Sequence, residues 1–184
     1  VQDLIAALPR IRLARAGTRL VVAGKGNHEA ELVEAARRHR VRRAVDFVGH
    51  LSDRELRAVI ACADAVVLPS KYEPFGIVAL EAAAAGAPLV ASTAGGLGEV
   101  VIDGRTGLSF APGDVGGIAT AVTSVLADPP AARRRARAAK ARLAEDFDWT
   151  HIAEATARVY ASARVGEHPE LGRPKIATGN AFTM

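Results

Sequence analysis

Short runs of Val, Leu and Ala alternate along this chain with segments of helical period, and that alternation leaves few folds open. Residues 18–23 (TRLVVA), 45–49, 65–68 and 88–92 are predominantly apolar and close on Gly, Pro or Ser. Runs apolar on both faces read as strands buried on both faces, the habit of parallel sheets covered by helices. Between them lie helical spacings. Val1, Leu4, Ile5 and Leu8 form one face, ended at Pro9, and Asn27 stands as the cap of a helix carrying Leu32, Val33 and Ala36. Ser52 and Glu55 frame a capping box (SDRE). A short helix over 97–101, an edge strand over 108–110 and helices over about 114–126, 130–144 and 150–163 complete the series. The pattern predicts an α/β fold: a Rossmann-like parallel sheet with helices on both faces.

Residues 1–164 read as one domain, and 49% hydrophobic residues can fill its core. Residues 165–184 lack periodicity and read as a loose extension. A βα series should open on a strand, yet Val1 stands inside a helix; the expectation is a domain truncated at its N-terminus. No run approaches the ~18 apolar residues of a membrane span, and no signal peptide opens the sequence. A lone cysteine, Cys62, excludes an internal disulfide. These features point to the cytoplasm, with the inner face of a membrane as the alternative.

The net charge of +4 gathers in Arg133, Arg134, Arg135, Arg137, Lys140 and Arg142. No aromatic interrupts that run to stack on bases, so it reads as the wet side of a helix rather than a nucleic-acid surface; contact with an acidic membrane is the alternative.

The chemistry concentrates in EPFGIVALE, residues 73–81. Residues 76–86 (GIVALEAAAAG) contain one charge, Glu81, on the stripe Ile77, Leu80, Glu81 and Ala84. That spacing reads as the inward face of a helix, where an ionised carboxylate needs a partner. Glu73 precedes Gly76 at the helix start, where free backbone N–H groups can hold anions. Each acid also has a structural reading: Glu73 as a helix-dipole partner, Glu81 in an internal salt bridge with Lys71 or an arginine.

Residues 73–81 resemble the E-x7-E motif of retaining glycosyltransferases of the GT-B type, family 4. The flanking strings AVVLPSKY (65–72), PLVASTAGGLGE (88–99) and DGRTGLSF (103–110) match the same pattern without gaps over about 45 residues. The resemblance extends more loosely over 1–163, as the C-terminal, donor-binding half of such an enzyme. Its wording is similar to bacterial α-glucan and glycogen-synthase-like glucosyltransferases. Glycine stands at Gly98 where the family usually has proline.

The resemblance implies a nucleotide-sugar donor, a UDP-, ADP- or GDP-hexose, as substrate. It implies no cofactor and no bound metal. Glu73 would be the catalytic residue, binding hydroxyls of the transferred sugar, and Phe75, Gly76 and Ile77 would line sugar and phosphates. Glu81 would take the ribose hydroxyls, and the base would rest on the loop holding Gly49, His50 and Leu51. Gly24 and Gly26 would lie near the donor, although a plain left-handed turn explains Gly24-Lys25-Gly26 equally well. Carboxylates suit vicinal diols because they accept two hydrogen bonds and donate none. Gly95, Gly96 and Gly98 read either as part of this site or as a tight turn before a short helix. The histidines show no metal-binding spacing.

The expected reaction is transfer of glucose to an acceptor hydroxyl, an α-1,4-glucan chain included, with the anomeric configuration retained. A carbohydrate or lipid-linked acceptor would bind through an N-terminal domain that this sequence lacks, together with the donor-phosphate Arg and Lys. The chain alone is therefore expected to be inactive. Mannosyl or other hexosyl transfer, a non-catalytic nucleotide-sugar-binding fragment, a sugar epimerase of the same shape and a dinucleotide-dependent oxidoreductase are the alternatives. Glu29 stands where the third glycine of a dinucleotide fingerprint belongs, against the last of these. Trp149 resembles the family's closing helix, which braces the partner domain; as bare chemistry it is a core anchor.

Overall fold

The computed structural model describes residues 1–165, in two compact units divided between Ala144 and Glu145. The extension expected over 165–184 lies outside the described residues from 166 onward. In the first unit the elements run α1 (Gln2–Ala14), β1 (Leu20–Ala23), α2 (Glu29–Arg38), β2 (Val45–Gly49), α3 (Asp53–Cys62), β3 (Val66–Leu68), α4 (Ile77–Ala85), β4 (Leu89–Ser92), α5 (Leu97–Val100), β5 (Leu108–Phe110), α6 (Val115–Ala127) and most of α7 (Pro129–Asp146). The second unit contains α8 (Trp149–Val165).

All strand pairs are parallel, as apolar strands separated by helices require. β1 pairs with β2, Leu20 opposite Val45, and β3, β4 and β5 form a second ladder in that order. β4 is central, and all four of its residues are buried. β1 departs from expectation: Val21 and Ala23 are exposed while Leu20 and Val22 are half-buried. Apolar composition thus marked the strand without telling how many of its faces are covered.

Both ladders contribute to one core. Ile5, Leu8 and Ile11 of α1 meet Ile118, Val122 and Val125 of α6, with Val45, Val90 and Phe110 in the same cluster. That packing explains why α1 does not stop at Pro9 as expected but runs on to Ala14. A helical proline removes one hydrogen bond and costs about 3 kcal/mol. Each fully buried Ile or Leu returns about 1.5–3 kcal/mol, so Leu8 and Ile11 on either side of it carry the helix through.

The helix starts divide. The Ser52 hydroxyl accepts from the Glu55 amide, and Glu55 accepts in return from the Ser52 amide at 2.8 Å, the expected capping box. At α2 the cap position falls to His28, without a side-chain bond, and not to Asn27. α7 buries Ala132, Ala136 and Ala139 and exposes Arg133, Arg134, Arg137 and Lys140, the wet face expected. Arg142 behaves differently: its Nη1 donates to the Glu99 and Val100 carbonyls at 2.8 Å each, satisfying the last turn of α5. In the second unit Trp149, the first residue of α8, is exposed and not a core anchor: none of residues 149–163 is buried, so the helix has no core for it to anchor.

Two loops at the carboxyl edge of the second ladder press together, backbone on backbone. The Gly96 amide donates to the Glu73 carbonyl at 3.0 Å. A Cβ on Gly95 would lie 2.1 Å from the Glu73 carbonyl oxygen, and one on Gly96 would lie 2.5 Å from that of Phe75. Gly95 also holds φ at +48°, whereas Gly96 has an ordinary helical backbone. Gly96→Ala therefore tests contact without backbone strain. It is expected to destabilise the chain by about 1–3 kcal/mol, read from the midpoint of urea denaturation.

The capping box carries a pH signature. Hydrogen bonds from the Ser52 side chain, and then its amide, hold the Glu55 carboxyl below its usual value of 4.5. A lowered folded value means the contribution is complete above 4.5 and fades as pH falls through the lower folded value. Ser52→Ala should lower the urea midpoint at neutral pH, and the deficit should shrink in a denaturation series taken below the carboxylate range.

Candidate functional site

The site grows from the start of α4. Gly76 sits in the left-handed region, φ +97°, and turns the chain from the loop into the helix. A side chain there would meet Leu97 of α5 at 2.8 Å, so glycine is needed for both its backbone and its size. No side chain caps α4. Its first-turn amides, at Ile77 and Val78, thus face outward as donors at the positive end of the helix dipole.

Glu73 is half-buried just before this turn, and Ser70 Oγ donates to its Oε2 at 3.2 Å. Behind Ser70 stands Ser92, 1% exposed, whose Oγ donates to the Ser70 carbonyl at 2.6 Å. Phe75 is half-exposed beside Gly76.

Glu81 corrects the expected stripe. The buried face of α4 is Ala79, Ala82 and Ala83, while Ile77 is 63% exposed and Glu81 and Ala84 are exposed. The helix is apolar nearly all round, so spacing alone could not set its rotation. Small alanines pack closest to the neighbouring layer and the bulky Ile77 and Val78 stay outside. Glu81 makes no hydrogen bond or ion pair among the described residues. Lys71, one proposed partner, instead faces Asp3 at 3.4 Å. Glu81 is thus an open carboxylate, about one turn beyond Ile77 on the same face, about 6 Å along the axis.

The other predicted residues gather at the carboxyl edge of the first ladder. The Gly24 amide donates to the Gly49 carbonyl at 2.7 Å, and a Cβ on Gly49 would stand 3.5 Å from the Lys25 side chain. Gly26 and His50 are exposed and Leu51 is half-buried. The structure therefore brings the predicted residues together as two groups: Gly24 with Gly49 on one ladder, and Glu73, Phe75, Gly76 and Ile77 with Gly95 and Gly96 on the other. Sequence reasoning gave Ser70 and Ser92 no role of their own; nothing in their spacing marks one. The Gly95-Gly96 pair, in the short loop after a strand, was a visible signal for a close backbone approach.

A cavity of about 580 Å³ opens between α1 and α2, lined in part by Asp3, Glu31, Glu34, Arg38 and His39, and by none of the predicted residues. Among the described residues no three His, Cys, Asp or Glu side chains converge as a metal site, and no helix is long and apolar enough to cross a membrane.

The chain has counterparts among known proteins. The family "Glycosyl transferases group 1" matches residues 1–142. A glycogen synthase of Mycobacterium tuberculosis (strain ATCC 25618 / H37Rv) is 62% identical over 176 residues, covering 96% of this chain and 42% of that protein. The crystal structure of Anabaena Alr3699/HepE in complex with UDP-glucose superposes with a TM-score of 0.77 at 28% identity, over 87% of this chain and 44% of that one. Sucrose-phosphate synthase from Thermosynechococcus elongatus gives 0.75 at 32%, over 90% and 42%. The chain spans less than half the length of these relatives. With the family pattern running through both strand ladders and the α4 motif, the chain belongs to the group 1 glycosyl transferases.

Proposed function

We propose that this chain is the donor-binding part of a retaining hexosyltransferase that moves glucose from a nucleoside-diphosphate sugar to an acceptor hydroxyl, an α-1,4-glucan chain being the acceptor, in a cytoplasmic setting. One observation carries the reading: an exposed carboxylate on α4, the amides of its first turn and a serine-held carboxylate in the loop before it follow one another around the start of the helix. A diphosphate at the Ile77 and Val78 amides leaves Glu81 one turn away for the ribose diol. Glu73, on the other side of the turn, is left for the sugar hydroxyls. The likeness to a glycogen synthase and to a structure holding UDP-glucose supports the choice of donor class.

The chemistry is charge stabilisation. The departing diphosphate gains negative charge, which aligned N–H groups offset without having to reorient. Glu73 fixes the hexose so that the leaving group and incoming hydroxyl use one face of the ring. No residue is assigned as a covalent nucleophile and no metal is invoked.

Titrating the chain with UDP-, ADP- and GDP-glucose, and with the free diphosphates, tests this directly. Glu81→Ala should weaken UDP-glucose and UDP alike by about tenfold, the cost of one charged hydrogen-bond pair. Glu73→Ala should weaken UDP-glucose alone. Unchanged affinity in both variants would remove the site assignment. The 184-residue chain by itself should transfer glucose to maltodextrin negligibly; robust transfer would refute its role as the donor-binding part alone.

A further inference from the structure

Two serines stand behind Glu73, and the reading above gives neither a role of its own. Ser92 ends β4, is buried, and receives the Ala94 amide at 3.4 Å while its own hydroxyl donates to the Ser70 carbonyl at 2.6 Å. Ser70 opens the loop after β3 and gives its hydroxyl to Glu73 Oε2 at 3.2 Å. Two hydroxyl bonds thus act in series: Ser92, at the buried end of β4, holds the Ser70 main chain, and the Ser70 side chain reaches out to the carboxylate. The Glu73 backbone is held separately, by the Gly96 amide at 3.0 Å. Backbone anchoring fixes where the side chain begins but not where its oxygens end, because the terminal torsions of a glutamate remain free. A carboxylate meant to receive two sugar hydroxyls must hold one orientation beforehand, and a supporting hydrogen bond supplies it.

We propose that Ser70 and Ser92 are positioning residues for the donor sugar: Ser70 orients the Glu73 carboxylate, and Ser92 locks Ser70 in place. The inference rests on the reading that Glu73 binds the hexose. Neither serine touches the nucleotide in that reading, so their loss should alter discrimination between UDP-glucose and UDP, not binding of the nucleotide itself.

Ligand-observed NMR titrations of the 184-residue chain with UDP-glucose and with UDP measure that discrimination, and UDP affinity serves as the control for an intact fold. Ser70→Ala should lower UDP-glucose affinity about threefold to tenfold and leave UDP affinity unchanged. Ser70→Thr, which keeps the hydroxyl, should restore it. Ser92→Ala should act in the same direction by a smaller factor. If Glu73→Ala lowers the UDP-glucose to UDP preference while Ser70→Ala does not, the positioning role is wrong and the sugar-binding role of Glu73 stands. If Glu73→Ala also leaves the preference unchanged, or the unaltered chain gives no UDP-glucose signal, the sugar reading fails and takes the inference with it.

Discussion

Where the loop after β4 crosses the loop after β3, main chain lies on main chain, with Gly95 and Gly96 leaving no space for even a methyl group against Glu73 and Phe75. The direction in which α4 leaves the ladder, the left-handed turn at Gly76 and the placement of Glu73 all follow from that contact. Its strength is modest, one amide-to-carbonyl bond and close packing, but its geometry is strict. Backbone atoms have no rotamers through which to yield. Leu97 then closes the same junction from the α5 side, filling the space that a side chain at Gly76 would need. Arg142, reaching from α7, satisfies the carbonyls at the other end of α5.

On that rigid base the charged groups are held lightly. Glu81 has no partner among the described residues, and Glu73 receives a serine hydroxyl instead of a cation. A buried ion pair would have to be broken before either acid could meet a ligand, leaving an uncompensated charge behind. Exposed or serine-held carboxylates exchange water for sugar hydroxyls at far smaller cost, because each hydrogen bond lost to solvent is replaced by one of the same kind. Among the described residues Glu81 is thus an exposed carboxylate and not the buried pair that its spacing suggested. Lys71, the nearest cation in sequence, is turned away to Asp3.

Much of the architecture was legible beforehand. The edge strand over 108–110, the capping box at Ser52 and the order of strands and helices all stand where local pattern placed them, since each depends on residues close in sequence. The failures share another character. Pro9 was read as a stop, but the face that α1 buries against α6 outweighs its local cost. Asn27 looked like a cap and Trp149 like an anchor, yet neither identity says where the chain finds its partners. Ser70 and Ser92 are twenty-two positions apart, and no short-range signal links them.

Residue order alone determined that this chain builds parallel βα units and which stretch carries the family's motif, because hydrophobic period, turn residues and the E-x7-E spacing are local properties. Only the tertiary structure decided how α4 is rotated, which acid stays open and which hydroxyls hold the other. Those outcomes depend on which neighbouring surface offers the closest fit, and an almost wholly apolar helix presents several faces that the sequence cannot rank.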